Sequence, residues 1–483
     1  MSIHLGKVRS DILITWEILD RMTVKKNNIV MILIAIIAFW IQVIMANLFT
    51  NQKFALDIGI FMLLIIYFLA AFSVYQIFSA VSLQFYTLFG IGIFNIGKFV
   101  QFLIEPSVLY DQEDLTHFSF DNDTIFKAII AISLFIICIW ITYIVLKNNE
   151  TKKEENKIIT KEYSPFFFKT GLFCMICSAP FYFYRLFLEF LAYKALGYGS
   201  IYATGGIGSS NILIRISYTV FLLGYMLICA SKTSYKRFCI CSILMFLSNV
   251  VAMMKGSRSE IIVSLMFFFW FSASYYRKRI KLKKLLMIAI PMVFLLQAVS
   301  QIRLGRTVEL KGGFFNLIFA QSVSAYVLLA FIQFEGSMMP HSYPYILDPI
   351  VNTFRLIFNP MNIRGQSLAV INHRFDLGHQ LTYYLNPIYY LNGFSLGSNA
   401  IAELWEFRWI GIVIGAVCMG VFIVFLNKKR NSSFFLFLSY IIIQYVAMCF
   451  RGNYIIGVYD VLKFGVVYAI LRLLVKASKG KIK

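Results

Sequence analysis

A chain of 483 residues that is 59 % hydrophobic and only 14 % charged, with a mean hydropathy of +0.74, is too apolar for a soluble globular domain. Apolar runs recur from end to end, so one membrane domain is expected rather than two or three soluble ones. The formal net charge of +22 sits in short clusters between those runs and not along one solvated face, which points to membrane topology and away from a nucleic-acid partner.

Taken in chain order, Asp11, Glu17 and Asp20 interrupt the stretch before the first apolar run. No cleavable signal peptide is therefore expected, and the first span should remain as an anchor. Ile12–Met22, with Trp16 and Leu19 on one stripe, reads as an interfacial helix on the cytoplasmic side. Segments able to cross a hydrocarbon core of about 30 Å follow. They are Ile29–Leu48, Ala55–Ile77, Ala80–Val100, Ile125–Leu146, Phe166–Phe190, Ile212–Ala230, Phe238–Met254, Ile261–Tyr276 and Leu285–Ser300. After a gap come Trp409–Leu426, Phe434–Phe450 and Ile455–Val475, about twelve helices in an all-α polytopic membrane protein.

The loop charges fit this order. Lys25–Lys26, Lys147 to Lys161, Lys232 to Arg237, Arg277 to Lys284, Lys428 to Arg430 and the tail from Lys476 fall on one side, which the positive-inside rule makes cytoplasmic together with both termini. The loop Glu105–Asp123 has six carboxylates and no Lys or Arg, as an outside loop tolerates. Gly312–Phe334 is apolar but interrupted by Asn316, Gln321, Ser322, Ser324 and Gln333, and reads as a re-entrant or interfacial segment. Residues 301–408 then form one long external insertion between the ninth and tenth spans, a length that usually carries function. The cysteines all lie in or at the ends of apolar runs, so no disulfide framework is expected, and Cys174 and Cys177 read as packing residues rather than a redox pair.

Sorting basic residues by side gives the strongest functional signal. The cytoplasmic side uses mainly Lys, whereas Arg185, Arg215, Arg258, Arg303, Arg306, Arg355, Arg364, Arg374, Arg408 and Arg451 fall outside or at outer span ends. A guanidinium binds phosphate oxygens through a planar fork and keeps its proton, so this set suggests an anionic phosphate ligand at the outer headgroup layer. Membrane lipids or carboxylates could occupy any single one of them. Arg185 with Glu189 and Asp460 with Lys463 have helical spacing and read as structural pairs. Arg258, Arg303, Arg306 and Arg451, each near a Gly where a span meets the outside, are the better clamp candidates, joined by Arg374 and Arg408.

For a base, the external histidines His373 and His379 stand out in Asn372-His-Arg-Phe-Asp-Leu-Gly-His379. His379 is preferred, because Gly378 permits an exposed turn and Arg374 disfavours an imidazolium at His373. No third ligand fixes a metal there. Glu403 is the alternative base, with Glu406 beside it, against the plainer reading that such carboxylates pair with Arg408. The triplet Asp121-Asn-Asp123 reads as a solvated turn rather than a cation site.

Met254-Lys-Gly-Ser-Arg-Ser-Glu260, the long loop, Gly393-Phe-Ser-Leu-Gly-Ser-Asn-Ala-Ile-Ala-Glu403 running into Gly411 and Gly415, and Arg451-Gly452 resemble the Wzy-type O-antigen polymerases. O-antigen ligases share this layout. The resemblance implies a GT-C-like, inverting transferase without metal or cofactor in the bacterial inner membrane, with residues 301–408 periplasmic. It further implies arginines on the pyrophosphate of undecaprenyl-linked saccharides, which serve as donor and acceptor, and a chain-length regulator as partner. The expected activity is joining of repeat units into a surface polysaccharide; the alternatives are a ligase and a flippase of the same lipid-linked saccharide.

Overall fold

The computed structural model describes residues 27–110, 119–148, 163–197, 211–254, 258–303, 313–338, 341–358, 365–429 and 431–480. The interfacial helix expected at Ile12–Met22 lies outside them, as do Arg306 and Arg364. The described residues are helical, without a strand. The long helices are α1 (Asn27–Leu48), α2 (Lys53–Phe78), α3 (Leu83–Ile104), α4 (Asn122–Asn148), α5 (Pro165–Leu196), α6 (Ile212–Ala230), α7 (Tyr235–Met254), α8 (Ser259–Ser274) and α9 (Leu282–Arg303). Shorter ones follow: α10 (Gly313–Gln321), α11 (Ser324–Phe334), α12 (Asp348–Phe358), α13 (Leu368–His373), α14 (Leu377–Leu385), α15 (Pro387–Leu391) and α16 (Ala400–Trp405). Three long helices close the chain: α17 (Arg408–Lys428), α18 (Ser433–Met448) and α19 (Val458–Gly480).

Among the described residues nine helices are long and apolar enough to cross a membrane. They correspond to α1 to α7, α17 and α18. The other three expected spans form helices too, α8, α9 and α19, but α8 has only 16 residues and α9 and α19 fall outside the nine. The chain is a polytopic helical membrane protein.

Its centre is α18. In the apolar window of Ser433–Arg451, 72 % of residues are buried, against 17 % for α1, whose Ile29, Leu33, Ile37 and Trp40 face outward as a lipid-contacting surface does. α18 packs on α3, α6 and α8, while α4 packs on α2, α11 and α17. α5 and α6 lie so close that a Cβ on Gly171 would stand 2.6 Å from the Gly224 carbonyl oxygen, and only paired glycines allow that approach. Several buried polar side chains pair with each other across helices, where lipid offers them no partner. Trp140 Nε1 donates to Ser73 Oγ at 2.8 Å, and Ser73 donates to Asn28 Oδ1 at 2.7 Å, tying α4, α2 and α1 together.

The apolar segment at 312–334 is broken between Gln321 and Ser324 into α10 and α11. Ser324 to Phe331 are all buried, so this half is enclosed by protein and does not lie flat on a surface. α11 packs against α4, α14 and α16, which makes the residues between α9 and α17 part of the bundle's packing. Asp121 accepts from Thr124 N at 2.6 Å, and Asp123 pairs with Lys127, so the acidic triplet starts α4.

Candidate active site

The site grows from two helix starts. Asp376 caps α14, its Oδ1 accepting from His379 N at 3.1 Å, and Asn399 caps α16, accepting from Ile401 N at 2.9 Å. Asn399 is fully buried, and its amide also donates to Asn95 Oδ1 at 2.6 Å and to the Ser324 carbonyl at 2.8 Å. Asn95 sits in the π-turn Gly92–Ile96 that interrupts α3, so one side chain locks α16 to α3 and α11. Such π-turns are frequent at functional sites.

Between the two helix starts runs the Gly393-Phe-Ser-Leu-Gly397 loop. Gly393 and Gly397 have φ of +89° and +78°, which favour glycine. A Cβ on Gly378 would come within 2.5 Å of the Gly397 carbonyl carbon. Gly378 is therefore buried and needed for backbone contact, not for the exposed turn expected from sequence.

Glu403 is fully buried and accepts three hydrogen bonds: Ser398 Oγ at 2.7 Å and Asn453 Nδ2 at 2.8 Å on Oε1, and Tyr454 N at 2.8 Å on Oε2. Asn453 donates from the same nitrogen to Asp376 Oδ2 at 3.0 Å. One amide thus holds both carboxylates. Burial pushes the Glu403 carboxyl up to about 8, against the opposing donors Tyr454 N and Ser398 Oγ. Burial acts the same way on Asp376, but there His379, Arg374 and the Asn453 and His379 N–H bonds win and hold it below the usual carboxylate range.

His379 is half-buried and its Nδ1 lies 3.0 Å from the Tyr390 hydroxyl. Burial lowers its pKa, Asp376 opposes, and the Arg374 charge lowers it further. Burial thus favours the neutral imidazole, the form that can accept a proton. His373 is exposed and turns its Nδ1 to the Ala369 carbonyl of its own helix at 2.9 Å.

Of the arginines, Arg374 is committed to the protein. Its Nη2 donates to Asp348 Oδ2 at 3.0 Å and stands 3.9 Å from Asp376, while the fully buried Asp348 also accepts from Tyr343 OH at 3.1 Å and Phe375 N at 3.2 Å. Arg408 pairs with Glu335 at 2.9 Å and lies over the Trp405 ring. Glu406 does not take Arg408, as the plainer sequence reading had it; it binds His341 Nε2 at 2.7 Å and Tyr345 N at 2.8 Å. Arg451 is exposed, two residues before Asn453, and donates to Gln321 Oε1 at the end of α10. Arg258 stands directly before α8, and Arg303 ends α9. The pairs Arg185–Glu189 and Asp460–Lys463 form as spaced, at 2.8 and 2.7 Å.

The arrangement sets an imidazole on a turn capped by a buried carboxylate, with an exposed guanidinium on the adjoining loop. A model of the family described as O-antigen polysaccharide polymerase Wzy matches residues 29–480. The chain belongs to this family. No curated protein and no solved structure matches it. As a Wzy-family polymerase it is a glycosyltransferase-type enzyme acting, at a general level, on lipid-linked saccharides. The residues that join its site, Asn453, Ser398, Tyr454, Tyr390 and Asp348, were not picked out as site residues from sequence. Ser398 had a signal, standing in the Gly393–Glu403 stretch, and Asn453 directly follows Arg451-Gly452.

Proposed function

We propose that this protein polymerises saccharide repeat units carried on undecaprenyl pyrophosphate, at the periplasmic face of the inner membrane, with inversion at the anomeric carbon. The observation that carries the reading is the placement of His379, half-buried on the turn that Asp376 caps and 3.0 Å from the Tyr390 hydroxyl, in a chain of the polymerase family. His379 takes the proton of an acceptor hydroxyl as that oxygen attacks the anomeric carbon of the donor. Asp376 stabilises the imidazolium that results, and the pyrophosphate leaves with the glycosidic bond electrons. Charge growing on it is met by guanidinium groups, Arg451 first among them because it is exposed on the Asn453 loop; Arg258, Arg303 and Arg306 complete the clamp.

Glu403 serves in this reading as a positioning residue, since it is fully buried and holds Asn453, Ser398 and Tyr454. Arg374 and Arg408 likewise hold carboxylates rather than substrate. The test is to incubate purified protein in detergent with the lipid-linked repeat unit and resolve saccharide length. A polymerase lengthens the saccharide with no membrane to cross, while a flippase leaves it unchanged; transfer only to a lipid core would indicate a ligase.

A further inference from the structure

Beside the Asn453 loop, α6, α18 and α19 enclose a half-open cavity of about 330 Å³. Tyr218 from α6, Gln444 and Tyr445 from α18, Asn453, and Asp460 and Phe464 from α19 line it. Gln444 is the anomaly. Every residue of α18 from Phe435 to Ile443 is buried, yet Gln444 is exposed to this cavity and makes no hydrogen bond among the described residues. A primary amide in a spanning helix is costly unless something pairs with it. Asn453 adds a second amide. Asn453 lines the cavity, and with its NH2 group spent on Glu403 and Asp376 the carbonyl oxygen is the side-chain atom left as an acceptor.

We infer that this cavity binds an uncharged sugar ring of the saccharide substrate, with Gln444 reading its hydroxyl groups. This rests on the polymerase reading and names where that substrate sits. A pyranose presents hydroxyls around its edge and C–H groups on its faces, and the cavity answers with two amides and the rings of Tyr218, Tyr445 and Phe464. Its volume is at the lower end of ligand pockets, about 300–1,000 Å³, suited to one or two rings. A polyprenyl chain would leave Gln444, Asn453 and Asp460 facing hydrocarbon. Asn453 connects the cavity to the base directly, since its amide holds Asp376, which caps the turn carrying His379.

The experiment titrates purified full-length protein with the repeat-unit oligosaccharide freed of its lipid, and in parallel measures KM and kcat for the lipid-linked unit. Gln444→Leu removes one neutral hydrogen bond and should weaken both oligosaccharide binding and KM by about two- to tenfold, with kcat nearly unchanged. Thr219 of α6 also lines the cavity, so Thr219→Trp, which fills it, should weaken binding further, while Thr219→Ser binds as wild type. His379→Ala should lose turnover but bind the oligosaccharide as wild type does, so failure of the base assignment is distinguishable from failure of the cavity. Unchanged binding in both Gln444→Leu and Thr219→Trp would overturn the inference, as would displacement of the oligosaccharide by polyprenyl phosphate lacking any sugar.

Discussion

Glu403 sets burial against hydrogen bonding, and pH decides which wins. Three donors favour its carboxylate, whereas complete burial favours the acid and takes the pKa to about 8 from an ordinary 4.5. A folded-state pKa above the unfolded one means that the acid form contributes stability fully below pH 4.5. That contribution falls as pH rises, and the fall ends near pH 8. The total loss is on the order of 5 kcal/mol, of which roughly 1 kcal/mol falls between pH 7 and pH 9. Glu403→Gln removes the titration but puts an amide NH2 or oxygen where donors converge, so it should lower stability at pH 5. The assay is the thermal unfolding midpoint in detergent from pH 5 to pH 9 for both proteins. The wild-type midpoint should decline toward pH 9 more steeply than that of Glu403→Gln, so that the two curves approach. Parallel curves would refute the reasoning and mean that Ser398, Asn453 and the Tyr454 N–H hold Glu403 ionised throughout.

His379→Ala should abolish polymer formation with expression and unfolding midpoint unchanged, read by saccharide length, and a divalent-cation chelator should leave the wild type active. Arg451→Lys keeps the charge but loses the fork, and should reduce polymer formation by the equivalent of about 1.5–3 kcal/mol; full activity would remove it from the clamp. Arg374→Ala leaves the buried Asp348 without its cation and should destabilise the protein by about 3–5 kcal/mol, seen as a lowered unfolding midpoint at neutral pH. Single cysteines at Asp114 and Asn359 should react with an impermeant thiol reagent in spheroplasts, in a background freed of native cysteines, and one at Lys281 should not.

The sequence disclosed whatever depends on local composition. Apolar runs placed the helices within a few residues, because a lipid-facing or bundle-facing span must be apolar over its whole length. Helical spacing identified Arg185–Glu189 and Asp460–Lys463, since i,i+3 and i,i+4 neighbours meet whatever the tertiary fold. His379 and Glu403 were legible as candidates from residue type. Their relation was not, because it runs through Asn453, which joins Glu403 to Asp376, the cap of the His379 turn, from 50 and 77 residues away along the chain. Nor did spacing show that Arg374 and Arg408 are consumed by Asp348 and Glu335, for those carboxylates lie in turns and short helices with no periodic pattern. Phosphate-binding and carboxylate-binding arginines look alike in one dimension.

The helices that carry the site are too short to hold themselves. α14 has nine residues and α16 has six, below the length at which a helix is stable in isolation. Their order must come from tertiary contacts, and Asn399 supplies them by joining the α16 cap to the π-turn of α3 and to the start of α11. Glu403, one turn further along α16, then fixes the loop that carries Asn453 and Arg451. His379, Asp376 and Arg451 therefore share a frame that membrane helices define, although none of the three stands on a long helix. Substrate-contacting side chains can then vary on that loop without disturbing the bundle, provided that Asn399, Glu403 and Asn453 keep their hydrogen bonds.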